Sequence, residues 1–99
     1  MLKHIVIWNL AEDIPADKRA EVAAKIKSGL EGLNDSISFV KDLTVNTDLL
    51  PGSDADIILE CCFESEKEFS EYQRHPAHVA IGTYIRSVTT NRHAVDYTK

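Results

Sequence analysis

Two stretches of this chain carry apolar side chains on both faces of a strand, and that restricts the folds open to it. From Met1 to Leu10, the residues Leu2, His4, Val6, Trp8 and Leu10 form one face, while Ile5 and Ile7 mark the other. From Asp56 to Phe63, the residues Ile57, Ile58, Leu59, Cys61, Cys62 and Phe63 again load both faces. Successive strand residues point to opposite sides of a sheet, so both strands need cover on two sides. A chain of 99 residues makes a single domain, 1–99, with a modest core. A second copy laid over an open sheet would add burial.

The remaining segments supply the other layers. Asp13-Ile14-Pro15 is a turn into a helix, and Asp17 places an acidic charge near its N-terminus. From Ala16 to Leu33 the apolar positions Val22, Ala23, Ile26, Leu30 and Leu33 recur at helical spacing, and Lys18, Glu21, Lys25 and Lys27 form the solvated face. Gly32-Leu33-Asn34-Asp35 ends that helix. Ile37 to Asn46 alternates as a strand, with Phe39, Leu43 and Val45 on one side and Ser38, Asp42 and Thr44 on the other. Leu50 to Asp54 is a loop. Ser65 followed by Glu68 predicts a capping box for a second helix running to about Tyr72. After Pro76, helical spacing returns from Ala77 to Val88 through Ile81 and Ile85, and Asn91 to Tyr97 is a last strand. The order β-α-β-β-α-β is the split βαβ pattern of the ferredoxin-like fold, an α+β architecture. Helices cover one face of such a sheet. The apolar excess on the other face predicts a homodimer with its sheets packed together.

Charge and cysteine usage exclude several function classes. Eleven basic against sixteen acidic residues give a formal charge of −5, and no basic run exceeds Lys18-Arg19. Nucleic acid and anionic membrane surfaces are therefore not the expected partners. No apolar stretch approaches the roughly 20 residues that cross a bilayer, and the expected location is cytoplasmic. Cys61 and Cys62 are neighbours that point to opposite faces, so they are poorly placed to bridge one another. Both are expected to be small buried hydrophobes in a reducing compartment. There is no glycine-rich phosphate loop and no carboxylate cluster with metal spacing, so neither cofactor nor metal is expected.

Chemistry concentrates in Tyr72-Gln73-Arg74-His75-Pro76-Ala77-His78, in a chain whose other histidines are His4 and His93. Imidazole both takes and gives a proton near neutral pH. Pro76 disfavours a straight helix through His75, so a turn can bring Tyr72 and His78 together. The same residues also have structural readings. His75 and His78 can cap helix ends, Tyr72 can be a buried residue with its hydroxyl on a backbone carbonyl, and His4 can be a satisfied core histidine beside Val6 and Trp8. Asp96 can pair with Arg92 or Arg86 on the outside, and His93 is expected at the surface. A metal site at His75 and His78 lacks a third ligand nearby.

Lys3-His4-Ile5-Val6-Ile7-Trp8, Asp56, Phe63-Glu64-Ser65, Tyr72, His75-Pro76-Ala77-His78 and Val95-Asp96-Tyr97 keep their order and spacing over nearly the whole chain. In these blocks the sequence resembles the stress-responsive A/B barrel (Dabb) family. The resemblance implies a dimeric α+β barrel in which two ferredoxin-like protomers pair their sheets. The best understood members are polyketide cyclases, with plant olivetolic acid cyclase as the type. They run an intramolecular aldol condensation on a linear poly-β-ketide without cofactor or metal. Others are plant stress proteins. The resemblance implies catalytic roles for His78 as base and Tyr72 as its assistant, and a pocket-lining role for His4. Trp8, on the same face, and Asp96 join His4 as substrate-binding candidates. Asp96 is the candidate to fix the tautomer of His78. The chain departs from the cyclases on helix one, where Ala23, Ala24 and Lys27 stand in place of bulky tunnel residues. Two functions follow: a cofactor-free acid/base enzyme acting on a small molecule, or a non-catalytic stress-responsive or ligand-binding dimer.

Overall fold

The alternating N-terminal stretch becomes an inner strand of a sheet. In the computed structural model, which describes residues 1–99, β1 (Leu2–Leu10) leads through a 3-10 turn (Ala16–Lys18) into α1 (Arg19–Glu31) and the short α2 (Leu33–Ser36). Next come β2 (Lys41–Asn46), β3 (Ile57–Phe63), α3 (Glu66–Arg74), α4 (Pro76–Val88) and β4 (Thr89–Thr98). The strands lie in the order β2-β3-β1-β4, and every neighbouring pair is antiparallel. This is the ferredoxin-like α+β fold.

The core sits between one sheet face and the helices. Val6, Trp8 and Leu10 of β1, Ile57, Leu59, Cys61 and Phe63 of β3, and Leu43 and Val45 of β2 are buried there. Ile26 and Leu30 of α1, Tyr72 of α3 and Ile85 of α4 close over them. Each such apolar side chain contributes about 1.5–3 kcal/mol relative to exposure. The helices also approach closely. At Gly29 of α1, a Cβ would lie 2.4 Å from Cδ1 and 2.9 Å from Cγ1 of Ile81 on α4.

The other sheet face has no helix on it. Ile5 and Ile7 are half-buried there, with Ile58 beside Ile7, Val95 beside Ile5 and Tyr97 beside Lys3. Val95 is 58% and Tyr97 44% exposed. The two-sided apolar character of β1 thus leaves a contiguous apolar strip on an uncovered sheet.

Several boundaries differ from the expected ones for identifiable reasons. The single helix expected over Ala16–Leu33 is divided: α1 ends at Glu31, and the chain re-coils from Leu33 as α2, where the Asp35 and Ser36 N–H groups donate to the Gly32 carbonyl at 3.1 and 3.3 Å. The second strand begins at Lys41 rather than Ile37. Asp42 has a φ of 52°, and pairing steps from Lys41–Cys62 to Thr44–Glu60, which inserts one extra residue. That bulge breaks the alternation, so Ile37 and Val40 are buried from a turn instead. Ser65 Oγ accepts the Glu68 N–H at 3.2 Å, but Glu68 reaches back to the Glu64 N–H, one residue earlier than a capping box requires. Lys25 and Lys27 are not simply solvated. Lys25 Nζ lies 4.2 Å over the Tyr84 ring, and Lys27 Nζ donates to the Val45 carbonyl at 2.7 Å. Cys62 faces the open side and is half-exposed, whereas burial pushes the Cys61 thiol up to about 12.

Candidate functional site

The site begins at the break between α3 and α4. His75 is extended (φ −62°, ψ 134°) because Pro76 follows it and opens the next helix. Its ring stabilises the new helix: Nδ1 accepts the Ala77 N–H at 3.1 Å. The turn folds the first turn of α4 back over the last turn of α3. There His78 lies with its ring centroid 4.5 Å from that of Tyr72. His78 Nδ1 is 3.2 Å from the Gln73 carbonyl oxygen. A carbonyl only accepts, so Nδ1 carries the proton and Nε2 keeps its lone pair.

This pair edges a cavity of about 350 Å³ between the sheet and the helices. Val6, Trp8 and Leu59 line it from the sheet, and Leu30 and Ile85 from α1 and α4. Its polar groups are His4, Tyr72, His78, Arg86 and Arg92. The cavity exists because the helices cover β1 and β3 but leave β4 exposed beyond Thr89.

Burial sets the protonation states. It holds the His78 imidazole below its ordinary value, and the nearby His4, Arg92 and Arg86 push the same way against the Gln73 carbonyl. Burial also pushes the Tyr72 phenol up, with a smaller contribution from the Cys61 thiol. Near neutral pH the site therefore presents a neutral imidazole and a protonated phenol.

His4, Trp8, Tyr72 and His78 all reach this one cavity. Asp96 does not meet His78. Its carboxylate pairs with His4 Nδ1 instead, because β1 and β4 are neighbours and their register sets His4 opposite Asp96 on the helix-covered face. The Gln73 carbonyl takes the tautomer-fixing place expected of Asp96. Asp96 pairs with neither Arg86 nor Arg92, which line the cavity themselves. Their part in the site is not drawn from the sequence, although Gly82 and Arg86 lie four and eight residues beyond His78 on one side of a helix. His93 is exposed on the open sheet face, opposite Ile7. No group of three or more His, Cys, Asp or Glu side chains is arranged to hold a metal ion, and no helix is long and apolar enough to cross a membrane.

Known proteins place this arrangement. Among solved structures, the chain is similar to a dimeric protein of unknown function with a ferredoxin-like fold from Bacteroides fragilis. The identity is 31% over 97% of this chain and 93% of that one, with a TM-score of 0.89. A dimeric ferredoxin-like protein of unknown function from Thermobifida fusca is 23% identical over 99% and 90% of the two chains, with a TM-score of 0.83. Hydroxynitrile lyase from Passiflora edulis is 17% identical over 97% and 90%, with a TM-score of 0.80. These last two likenesses concern the fold alone. Among curated proteins no match is found. The model of the stress responsive A/B barrel domain matches residues 2–99, and the chain belongs to that family, Dabb.

Proposed function

We propose that the protein is a homodimer in which each protomer binds a small carbonyl compound and catalyses cofactor-free proton transfer on it. The Tyr72–His78 pair at an apolar cavity carries this reading. His78 Nε2 removes a proton next to the carbonyl, and the electron pair moves onto the carbonyl oxygen. Tyr72 donates its O–H to that oxygen. In an aldol closure of the polyketide cyclase type, the enolate carbon then attacks a second carbonyl of the same molecule. The new alkoxide recovers the proton from the His78 imidazolium, so no external acid, base or redox partner is consumed. The Gln73 carbonyl holds the ring orientation through both transfers. His4, oriented by Asp96, and Trp8 contact the substrate body.

The dimer is supported by the uncovered apolar strip of Ile5, Ile7, Ile58, Val95 and Tyr97, and by the dimeric relatives from Bacteroides fragilis and Thermobifida fusca. We place it in the cytoplasm, where free Cys61 and Cys62 stay reduced.

The test is solvent deuterium uptake at the carbon between the carbonyls of β-keto acids and β-keto thioesters, followed by mass spectrometry. Wild-type protein should accelerate uptake, and Tyr72→Phe should slow it by roughly 10²-fold, the lower end of what loss of one oxyanion donor costs. Uptake at the buffer rate across the set would overturn the catalytic reading and favour a ligand-binding dimer.

A further inference from the structure

We infer that the cavity selects apolar molecules bearing an oxyanion head group, a carboxylate or phosphate, held by Arg86 and Arg92 at its open end. This deepens the reading of the cavity as a small-molecule site and rests on it. The first observation is how Arg92 comes to be there. Along β1 and β4 the pairing passes from Ile7–His93 to Asn9–Thr90, two steps on one strand against three on the other. Asn91 and Arg92 therefore both oppose Trp8. Asn91 takes up the extra residue with a φ of 54°, a left-handed conformation that few residues other than glycine and asparagine adopt readily. Its side-chain amide donates to Asn9 Oδ1 at 3.4 Å. With the extra residue taken up at Asn91, Arg92 keeps the face of Ala94 and Asp96, which pair with Val6 and His4, and lines the cavity beside Trp8.

Arg86 arrives from the other wall. It stands two helical turns beyond His78 on α4, and its Nη1 lies 3.4 Å from where a Cβ on Gly82 would sit. Gly82 thus leaves the space in which the guanidinium lies back along the helix. Nη2 is directed at Thr83 Oγ1, 3.4 Å away.

Neither arginine has an acid. No carboxylate lines the cavity, and the six ion pairs of the protein include neither Arg86 nor Arg92. Asp96, the nearest candidate by strand position, is engaged by His4. In a chain with sixteen acidic residues against eleven basic ones, two unpaired guanidinium groups at one opening are a local reversal of charge. Guanidinium forks match carboxylate and phosphate oxygens in pairs, and a partly desolvated mouth strengthens that attraction. The apolar walls at Trp8, Leu59 and Ile85 then receive the body of the ligand.

Trp8 is the only tryptophan of the chain and lines the cavity, so its fluorescence reports binding. The probes are hydrocinnamate, phenethyl phosphate and the neutral hydrocinnamide. At least one anion should bind about tenfold or more tighter than the amide, and the better anion identifies the head group. Arg92→Met and Arg86→Met should each weaken the anion and leave the amide unchanged, and Arg92→Lys should restore part of the preference. Roughly 0.5 M salt should narrow it. Equal binding of anions and amide overturns the anion selectivity while leaving the cavity a small-molecule site. Failure of all three to bind overturns that underlying reading as well.

Discussion

The Asp96 carboxylate accepts the Nδ1 proton of His4 across β1 and β4, on a histidine only 4% exposed. A buried imidazole that loses its acceptor bears the full cost of desolvation. Asp96→Ala should therefore lower stability by about 1–3 kcal/mol in urea unfolding. The tautomer of His78, read by nitrogen NMR, should not change. A switched His78 tautomer in this variant would mean that Asp96 serves His78 after all.

His78 should titrate below 6.5, because burial disfavours its cation. The sign of the linked stability follows. The unfolded histidine binds its proton at about 6.5 and the folded one only at lower pH, so the unfolded state carries more protons in between. Stability should hold above 6.5 and fall as the pH drops from there to the folded value. His78→Gln should lose that part of the slope. An NMR midpoint above 6.5 would contradict the burial argument.

The open sheet face should be where two copies meet. Ile5→Lys or Ile7→Lys should give a folded monomer by light scattering, since these residues lie on the uncovered side. Val6→Lys should unfold the chain instead, because Val6 is 1% exposed beneath the helices. A wild-type monomer at micromolar concentration would remove the dimer.

At Gly29 of α1 the Ile81 side chain of α4 lies close against the backbone. Gly29→Val should destabilise by roughly 1–3 kcal/mol despite removing a helical glycine, because two atoms of Ile81 occupy the space its Cβ needs. A neutral or stabilising result would show that Ile81 swings aside freely.

Sequence made some of these relationships visible and hid others. The faces of β1 and β3 follow from strict alternation, and Tyr72 meets His78 because a proline-enforced turn lies between them. The His4–Asp96 pair depends on β1 and β4 being adjacent across a sequence separation of 92, which no local pattern encodes. The two bulges are equally hidden, since Asp42 and Asn91 adopt left-handed φ values without a glycine to announce them. Arg92 shares the face of Ala94 and Asp96 by alternation, but only the pairing of β4 with β1 brings that face to the cavity, so the arginine reads in sequence as an ordinary surface charge.

The central claim, that His78 is the base, is tested most directly by deuterium uptake into β-keto substrates with His78→Ala, measured alongside its urea midpoint and dimer mass. The account predicts a fall of about 10²–10⁴-fold in uptake with the folded dimer retained. An undiminished rate in a properly folded variant, or a variant that does not fold, would contradict it and make the His75–His78 segment a piece of architecture.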